Sequence, residues 1–330
     1  MAIVAVSVFI AFGNRAPRPA PFVALATAIN APSFHAGSWY WIERRGKQAQ
    51  TLVRANESGS VRTIVSANEI ADFDATDNVV LVVLRTDKTW HVQLGTVAGQ
   101  LRDLWVGTQQ PHGTLISAGQ AYWILSRPPN PTIGDIPPLQ QHIELTVAPV
   151  AGGPSRTIST IMEPDGLQII GINDGSIYLS AFRDAVHGVT TIYRAPMAGG
   201  APKRVAGETG KQFALISDAG LLYWTAPCHD SQNYNLVGCV RRLASSGATE
   251  TLTGWITAGG RLYNTRHGVW YVDQSAPSTA IPITTYNDLP RATAVASGFN
   301  VLAANSDTLL LEPATAARDG KSPLYRMWPK

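Results

Sequence analysis

The chain has 330 residues, a length that fits two ordinary domains or one large all-β or α/β-barrel domain. Its residues are 45% hydrophobic and only 15% charged, which excludes disorder for most of it. The 26 Lys and Arg against 23 Asp and Glu leave a net charge of +3, and no dense basic run could neutralise a series of phosphates, so nucleic acid is not an expected partner.

Ala2–Phe12 is an uninterrupted, mostly apolar run of eleven residues, followed by Gly13, Asn14, Arg15 and a Pro/Ala-rich stretch to Pro21. It falls short of the roughly 18–20 residues that cross a bilayer and suits a signal-peptide core of about 7–15. No Lys or Arg precedes it, and the small-residue triplet Ala26-Thr27-Ala28 comes only after a second, weaker apolar stretch. Residues 1–29 are read as an export signal or the stub of a membrane anchor with a linker, giving an extracytoplasmic protein. A buried N-terminal strand or helix is the alternative. Residues 30–330 read as one domain.

From residue 34 onward one unit recurs. Phe34-His-Ala-Gly-Ser-Trp-Tyr-Trp41, Ile116-Ser-Ala-Gly-Gln-Ala-Tyr-Trp123 and Ile216-Ser-Asp-Ala-Gly-Leu-Leu-Tyr-Trp224 each read as a strand end, a Gly turn and a strand opening on Tyr-Trp. Weaker copies turn at Asp77, Gly175, Gly260 and Gly298, making seven copies about forty residues apart. A second turn follows in each, at Ser58-Gly59, Ala98-Gly99, Gly152-Gly153, Gly199-Gly200, Ser246-Gly247, Ala276-Pro277 and Asp319-Gly320. Four short strands per unit make an antiparallel meander, and the density of Gly, Pro and β-branched residues excludes helices. Such meanders cannot bury both faces alone and pack best around an axis, so the expected fold is all-β, a seven-bladed β-propeller of four-stranded antiparallel blades, with six or eight blades the lesser alternatives.

The Gly-x-x-Tyr-Trp openings and the closing Tyr193-Arg-Ala-Pro-Met-Ala-Gly-Gly-Ala-Pro202 resemble bacterial exported β-propellers of the YWTD and Tol-Pal-associated (TolB-like) type, over residues 30–330. Tyr-Trp-Ile-Glu, Tyr-Trp-Ile-Leu and Tyr-Trp-Thr-Ala stand where that family has Tyr-Trp-Thr-Asp, so its interblade Asp network does not carry over.

With strands a to d running outward from the axis, the short Gly turns (a–b and c–d) share one end of the axis. The b–c loops and d–a connections share the other. The b–c segments in blades three to five are long, at Arg127–Gln141, Arg183–Gly188 and Pro227–Gly238, and unequal loops on a rigid scaffold are where binding groups collect. This places Arg127, Asp135, Asp230 and Tyr234 on a candidate binding surface. The d–a connections supply Asn68, Glu69, His112, Glu163, Asp165, Lys211, Gln212 and Arg291 to the mouth of the channel. Of these Glu69, His112 and Asp165 are the catalytic candidates and Asn68, Lys211, Gln212 and Arg291 the binding ones; Asp165 is the one candidate metal ligand, for a structural Ca²⁺, and no cofactor is otherwise assigned. His35 and His267 beside turns read as surface residues, His91 as a satisfied strand histidine, and the tryptophans as packing between blades.

Cys228 and Cys239 bracket a polar segment whose closure by a disulfide would remove roughly 3 kcal/mol of unfolded-chain entropy, in line with export; two unpaired structural thiols are the alternative. No Gly-x-Ser-x-Gly elbow, His-Glu-x-x-His, P-loop, Gly-x-Gly-x-x-Gly or Cys-x-x-Cys is present. Loop asymmetry without a catalytic signature favours a non-catalytic, monomeric, exported or membrane-tethered propeller that binds a protein or polymer through its long-loop face. The alternative is a metal-assisted hydrolase or lyase with its site at the channel mouth.

Overall fold

The computed structural model describes residues 20–24, 32–35, 37–45, 49–127, 141–163, 167–182, 189–209, 214–216, 220–227, 238–243, 247–256, 261–265, 268–273, 279–282, 293–294, 299–304, 309–313 and 323–327. After β1 (Ala20–Ala24) the strands follow in groups of four. The first sheet holds β2 (Ser33–His35), β3 (Ser38–Arg45), β4 (Ala49–Asn56) and β5 (Val61–Ala67), and the second β6 (Glu69–Ala75), β7 (Val79–Thr86), β8 (Thr89–Thr96) and β9 (Leu101–Gly107). The third holds β10 (Pro111–Ser117), β11 (Gln120–Arg127), β12 (Gln141–Pro149) and β13 (Arg156–Glu163), and the fourth β14 (Leu167–Asn173), β15 (Ser176–Phe182), β16 (Val189–Pro196) and β17 (Lys203–Thr209). The fifth holds β18 (Ala214–Ile216), β19 (Leu222–Pro227), β20 (Gly238–Leu243) and β21 (Thr249–Ile256), and the sixth β22 (Arg261–Thr265), β23 (Gly268–Asp273), β24 (Thr279–Pro282) and β25 (Thr293–Ala294). In the seventh, β26 (Phe299–Ala304), β27 (Leu309–Pro313) and β28 (Pro323–Met327) are completed by β1, so the order is β1-β28-β27-β26.

Hairpin chemistry sets the first turn of each unit. Ala118 (φ 49°) with Gly119 (φ 72°), and Asp174 (φ 48°) with Gly175 (φ 67°), put two successive residues in the left-handed region, the geometry of two-residue turns whose twist matches the strands they join. Bulges recur at matching places. The first strands β6, β10, β14 and β26 all slip register against their second strands, and the last strands β5, β9, β13 and β17 slip at Ile64, Leu104, Ile158 and Val205. Those four apolar residues pack into the cores between sheets, so the extra residue tightens the twist where each sheet must lean on its neighbour.

The sheets close into a ring. First strands neighbour first strands, β6 with β10, β10 with β14, β14 with β18, β18 with β22, β22 with β26 and β26 with β2. His35 of β2 meets Asp74 of β6 and completes the circuit. The molecule is a β-propeller of four-stranded antiparallel sheets around an axis lined by their first strands.

Successive residues of a strand point to opposite faces, and the Tyr-Trp pairs exploit this. Trp39 and Trp41 pack back against Leu310 of the closing sheet while Tyr40 packs forward on the second sheet. Trp123 turns back to the second sheet and Tyr122 forward to the fourth; Trp224 turns back to the fourth and Tyr223 forward to the sixth. All seven of these aromatics are buried, as packing between sheets requires.

Two details depart from the sequence reading. In the sixth and seventh sheets the first-to-second strand connections lie between Thr265 and Gly268 and between Ala304 and Leu309, whereas the sequence placed them at Gly260 and Gly298. Ala276-Pro277 and Asp319-Gly320 accordingly fall between second and third strands. Ala20–Ala24, assigned to the linker from sequence, forms β1 and pairs with β28 as the fourth strand of the seventh sheet.

Candidate active site on the innermost strands

First strands of neighbouring sheets run side by side without sharing a backbone ladder, so their facing amides need other partners. Asp72 and Asp74 supply them. Two residues apart on β6, they reach two residues apart on β10: Thr114 N–H donates to Asp72 Oδ2 at 2.8 Å and Ile116 N–H to Asp74 Oδ2 at 2.6 Å. Their other oxygens accept the amides of Phe73 and Ala75 at 2.9 Å each. His35 Nδ1 lies 3.1 Å from Asp74 Oδ1, linking the first sheet to the second. Asn173 Nδ2 donates to the Gly220 carbonyl at 2.5 Å, a related tie between the fourth and fifth sheets.

Burial dominates the electrostatics. It pushes the Asp72 carboxyl above the usual carboxylate range, with the amides of Thr114 and Phe73 opposing, and pushes Asp74 up likewise, with His35 opposing. His112, near the start of β10, is moved the other way: burial holds its imidazole below the ordinary value, while the Asp72 charge and contacts to Gln110 and Leu167 act against that. Its Nε2 is buried without a hydrogen-bond partner. An imidazole kept neutral beside a carboxyl kept protonated longer than usual is the pattern of separated acid and base.

The sequence candidates distribute as follows. Glu69, at the start of β6, is ion-paired with Arg85 at 2.7 Å on a half-exposed surface, and Asn68 is exposed beside it. Of the three catalytic candidates only His112 lies in the buried group; Asp165, together with Lys211, Gln212, Arg291, Asp135, Asp230, Tyr234 and Cys228, lies outside the described residues. Arg127 ends β11 opposite His142. Cys239 is buried in β20, and no cysteine among the described residues is free. His91 is a satisfied strand histidine, bonded to Thr86 at 2.9 Å and Asp103 at 3.0 Å. His35, read as a surface residue, instead bridges sheets because the turn at Gly37 brings the end of β2 onto β6. Asp72, Asp74 and His35 were missed. Asp72 and Asp74 could have been found as two acids at alternate positions among the apolar residues of a first strand.

Among the described residues no three His, Cys, Asp or Glu side chains gather to hold a metal. The oxygens of Asp72 and Asp74 already accept backbone amides or face His35, so these carboxylates do not fit a cation.

No protein-family model matches the chain, and no curated protein does. Solved structures do. A Pyrococcus horikoshii acylaminoacyl peptidase superposes with a TM-score of 0.65 at 13% identity over 91% of this chain and 51% of its own. An oligogalacturonate lyase in complex with manganese gives 0.66 at 9% identity over 96% of this chain and 98% of its own, and the β-propeller domain of the Trilobed protease from Pyrococcus furiosus gives 0.60 at 8% over 90% and 94%. The chain thus spans about half the length of the peptidase. These likenesses count against the expectation of a non-catalytic binding module, since the proteins that share the architecture include a peptidase, a lyase and a domain of a protease. At such low identity the superpositions themselves establish the β-propeller fold.

Proposed function

We propose that the chain is a lyase or hydrolase acting at the axial end where His112 stands, with an acidic oligosaccharide as the leading substrate class. The observation that carries this reading is His112 itself, an imidazole held neutral by burial, with an unpartnered Nε2 and the Asp72 carboxyl nearby. In an elimination, His112 would take the proton from the carbon next to a uronate carboxylate, the glycosidic oxygen would leave, and a carbon–carbon double bond would form. The Asp72 charge favours the imidazolium that results, and the amides of Thr114 and Phe73 hold that carboxylate in place. The match along nearly all of the oligogalacturonate lyase supports an elimination over acyl transfer, as does the absence of a Gly-x-Ser-x-Gly elbow.

The test is ultraviolet absorbance of the unsaturated product from oligogalacturonates, with and without added Mn²⁺, beside release of nitroaniline from acyl-peptide anilides. Wild-type protein should give the first signal and a His112→Ala variant at least 10²-fold less, the usual contribution of a general base. Anilide cleavage alone would move the assignment to a hydrolase; product formation unchanged in His112→Ala would overturn the site. The reading also retains an extracytoplasmic location, the relation to exported YWTD and Tol-Pal-associated propellers, and a Cys228–Cys239 disulfide. They are supported by the Ala2–Phe12 run, the recurring Tyr-Trp pairs and the chain's having just two cysteines.

A further inference from the structure

The end of the axis opposite His112 carries an unexplained concentration of positive charge. In four consecutive sheets the last strand begins with a cation in its first or second position: Arg62 in β5, Arg102 in β9, Arg156 in β13 and Lys203 in β17, all exposed. In two of them a second cation stands directly across the ladder, Arg54 opposite Arg62 and Arg194 opposite Lys203. Like charges in directly opposed positions destabilise a sheet. The side chains are nevertheless held in place. Arg54 Nε donates to Ser38 Oγ and Arg194 Nε to Ser176 Oγ, both at 2.9 Å, and Arg102 Nη2 donates to the Val150 carbonyl of the next sheet at 2.8 Å.

The chain enters the propeller at this same end. β1 runs antiparallel to β28 with Ala20 opposite Arg326, and β28, as third strand of its sheet, finishes where the last turn of each other sheet lies. A Cβ on Gly59, in the turn between β4 and β5, would come within 2.6 Å of the Phe22 carbonyl oxygen, so β1 lies against that turn. The apolar run Ala2–Phe12 and then Arg15 and Arg18 precede Ala20 in sequence. We propose that this end of the propeller rests on an anionic lipid surface, with the cationic rim against the headgroups. A cation near such a surface contributes about fivefold in binding, so four together contribute roughly several hundredfold. The proposal is independent of the assignment of His112, which lies at the other end.

The experiment is co-sedimentation of the full chain with phosphatidylcholine vesicles, with and without one-third phosphatidylglycerol. Wild-type protein should prefer the anionic vesicles by at least about tenfold and lose that preference in high salt, since the Debye length shrinks to roughly 3 Å at 1 M. The variant Arg62→Gln/Arg102→Gln/Arg156→Gln/Lys203→Gln should lose most of that preference. Lys88→Gln, in the turn between β7 and β8 at the opposite end, should keep the preference. Equal binding of wild type to both vesicle types, a salt-insensitive preference, or a preference kept by the quadruple variant would each overturn the proposal. So would loss of binding to soluble polygalacturonate without any change on vesicles.

Discussion

Asp72 is a buried carboxyl whose two oxygens satisfy amides on two different sheets. Replacing it with Ala leaves the Phe73 and Thr114 N–H groups without acceptors, at a cost of about 1–3 kcal/mol each way such a group is stranded. Urea unfolding should show the midpoint of Asp72→Ala reduced with an unchanged slope. The titration signs are opposite for the two kinds of buried group. Raised carboxyl values at Asp72 and Asp74 mean that the native state holds protons longer than the unfolded chain, so their contribution favours folding at low pH and is lost as pH rises through the raised values. The lowered value at His112 means the reverse: its contribution is full above the ordinary 6.5 and is lost as pH falls toward the depressed folded value. A His112→Asn variant should therefore lose less stability than wild type between about pH 7 and pH 5, measured by thermal unfolding. At this scale the sequence was least informative. His112 was legible as a polar residue entering a first strand, whereas Asp72 and Asp74 went unassigned because the donors they serve, the amides of β10, lie 42 positions away.

Turns and ladders were legible wherever the local chemistry was strict. Gly119 needs a positive φ of 72°, and nothing lies within 4 Å of the place a Cβ would occupy. Its replacement by Ala should thus cost only the backbone penalty, about 1–2 kcal/mol, and Asn, which tolerates that conformation, should cost less. Comparing the two variants by chemical denaturation separates conformational strain from crowding. The same reasoning explains why the first five sheets were placed correctly and the last two were shifted. Where a positive-φ Gly follows a short residue and opens a second strand, as at Gly37, Gly119, Gly175 and Gly220, the hairpin is unambiguous, and in the second sheet Asp77-Asn78 marks the turn. At Gly260 and Gly298 the glycine precedes the first strand, and β22 and β26 carry enough apolar residues to pass for second strands.

Over the whole molecule, stability comes from neighbours, since each sheet shares its core with the next: Trp41 with Leu310, Leu52 with Val82, Trp123 with Val83. The radial arrangement was legible because seven similar units without helices have few other ways to cover both faces. The strand that closes it was not, because Ala20–Ala24 carries no copy of the repeat. Removing residues 1–19 should leave the unfolding temperature within a degree or two, whereas removing residues 1–24 strips β28 of its partner, exposes an unpaired edge and should lower that temperature and promote association, seen by calorimetry and light scattering.

The pairing of β1 with β28 also brings the first and last strands side by side, Ala20 lying across from Arg326. Topologically the molecule is then almost a bracelet whose clasp is hydrogen-bonded instead of covalent. A circular permutant, with Met327 joined to Ala20 by a short linker and new ends opened in the solvent-exposed Ala151–Gly153 turn, keeps every rung of every ladder and moves the clasp elsewhere.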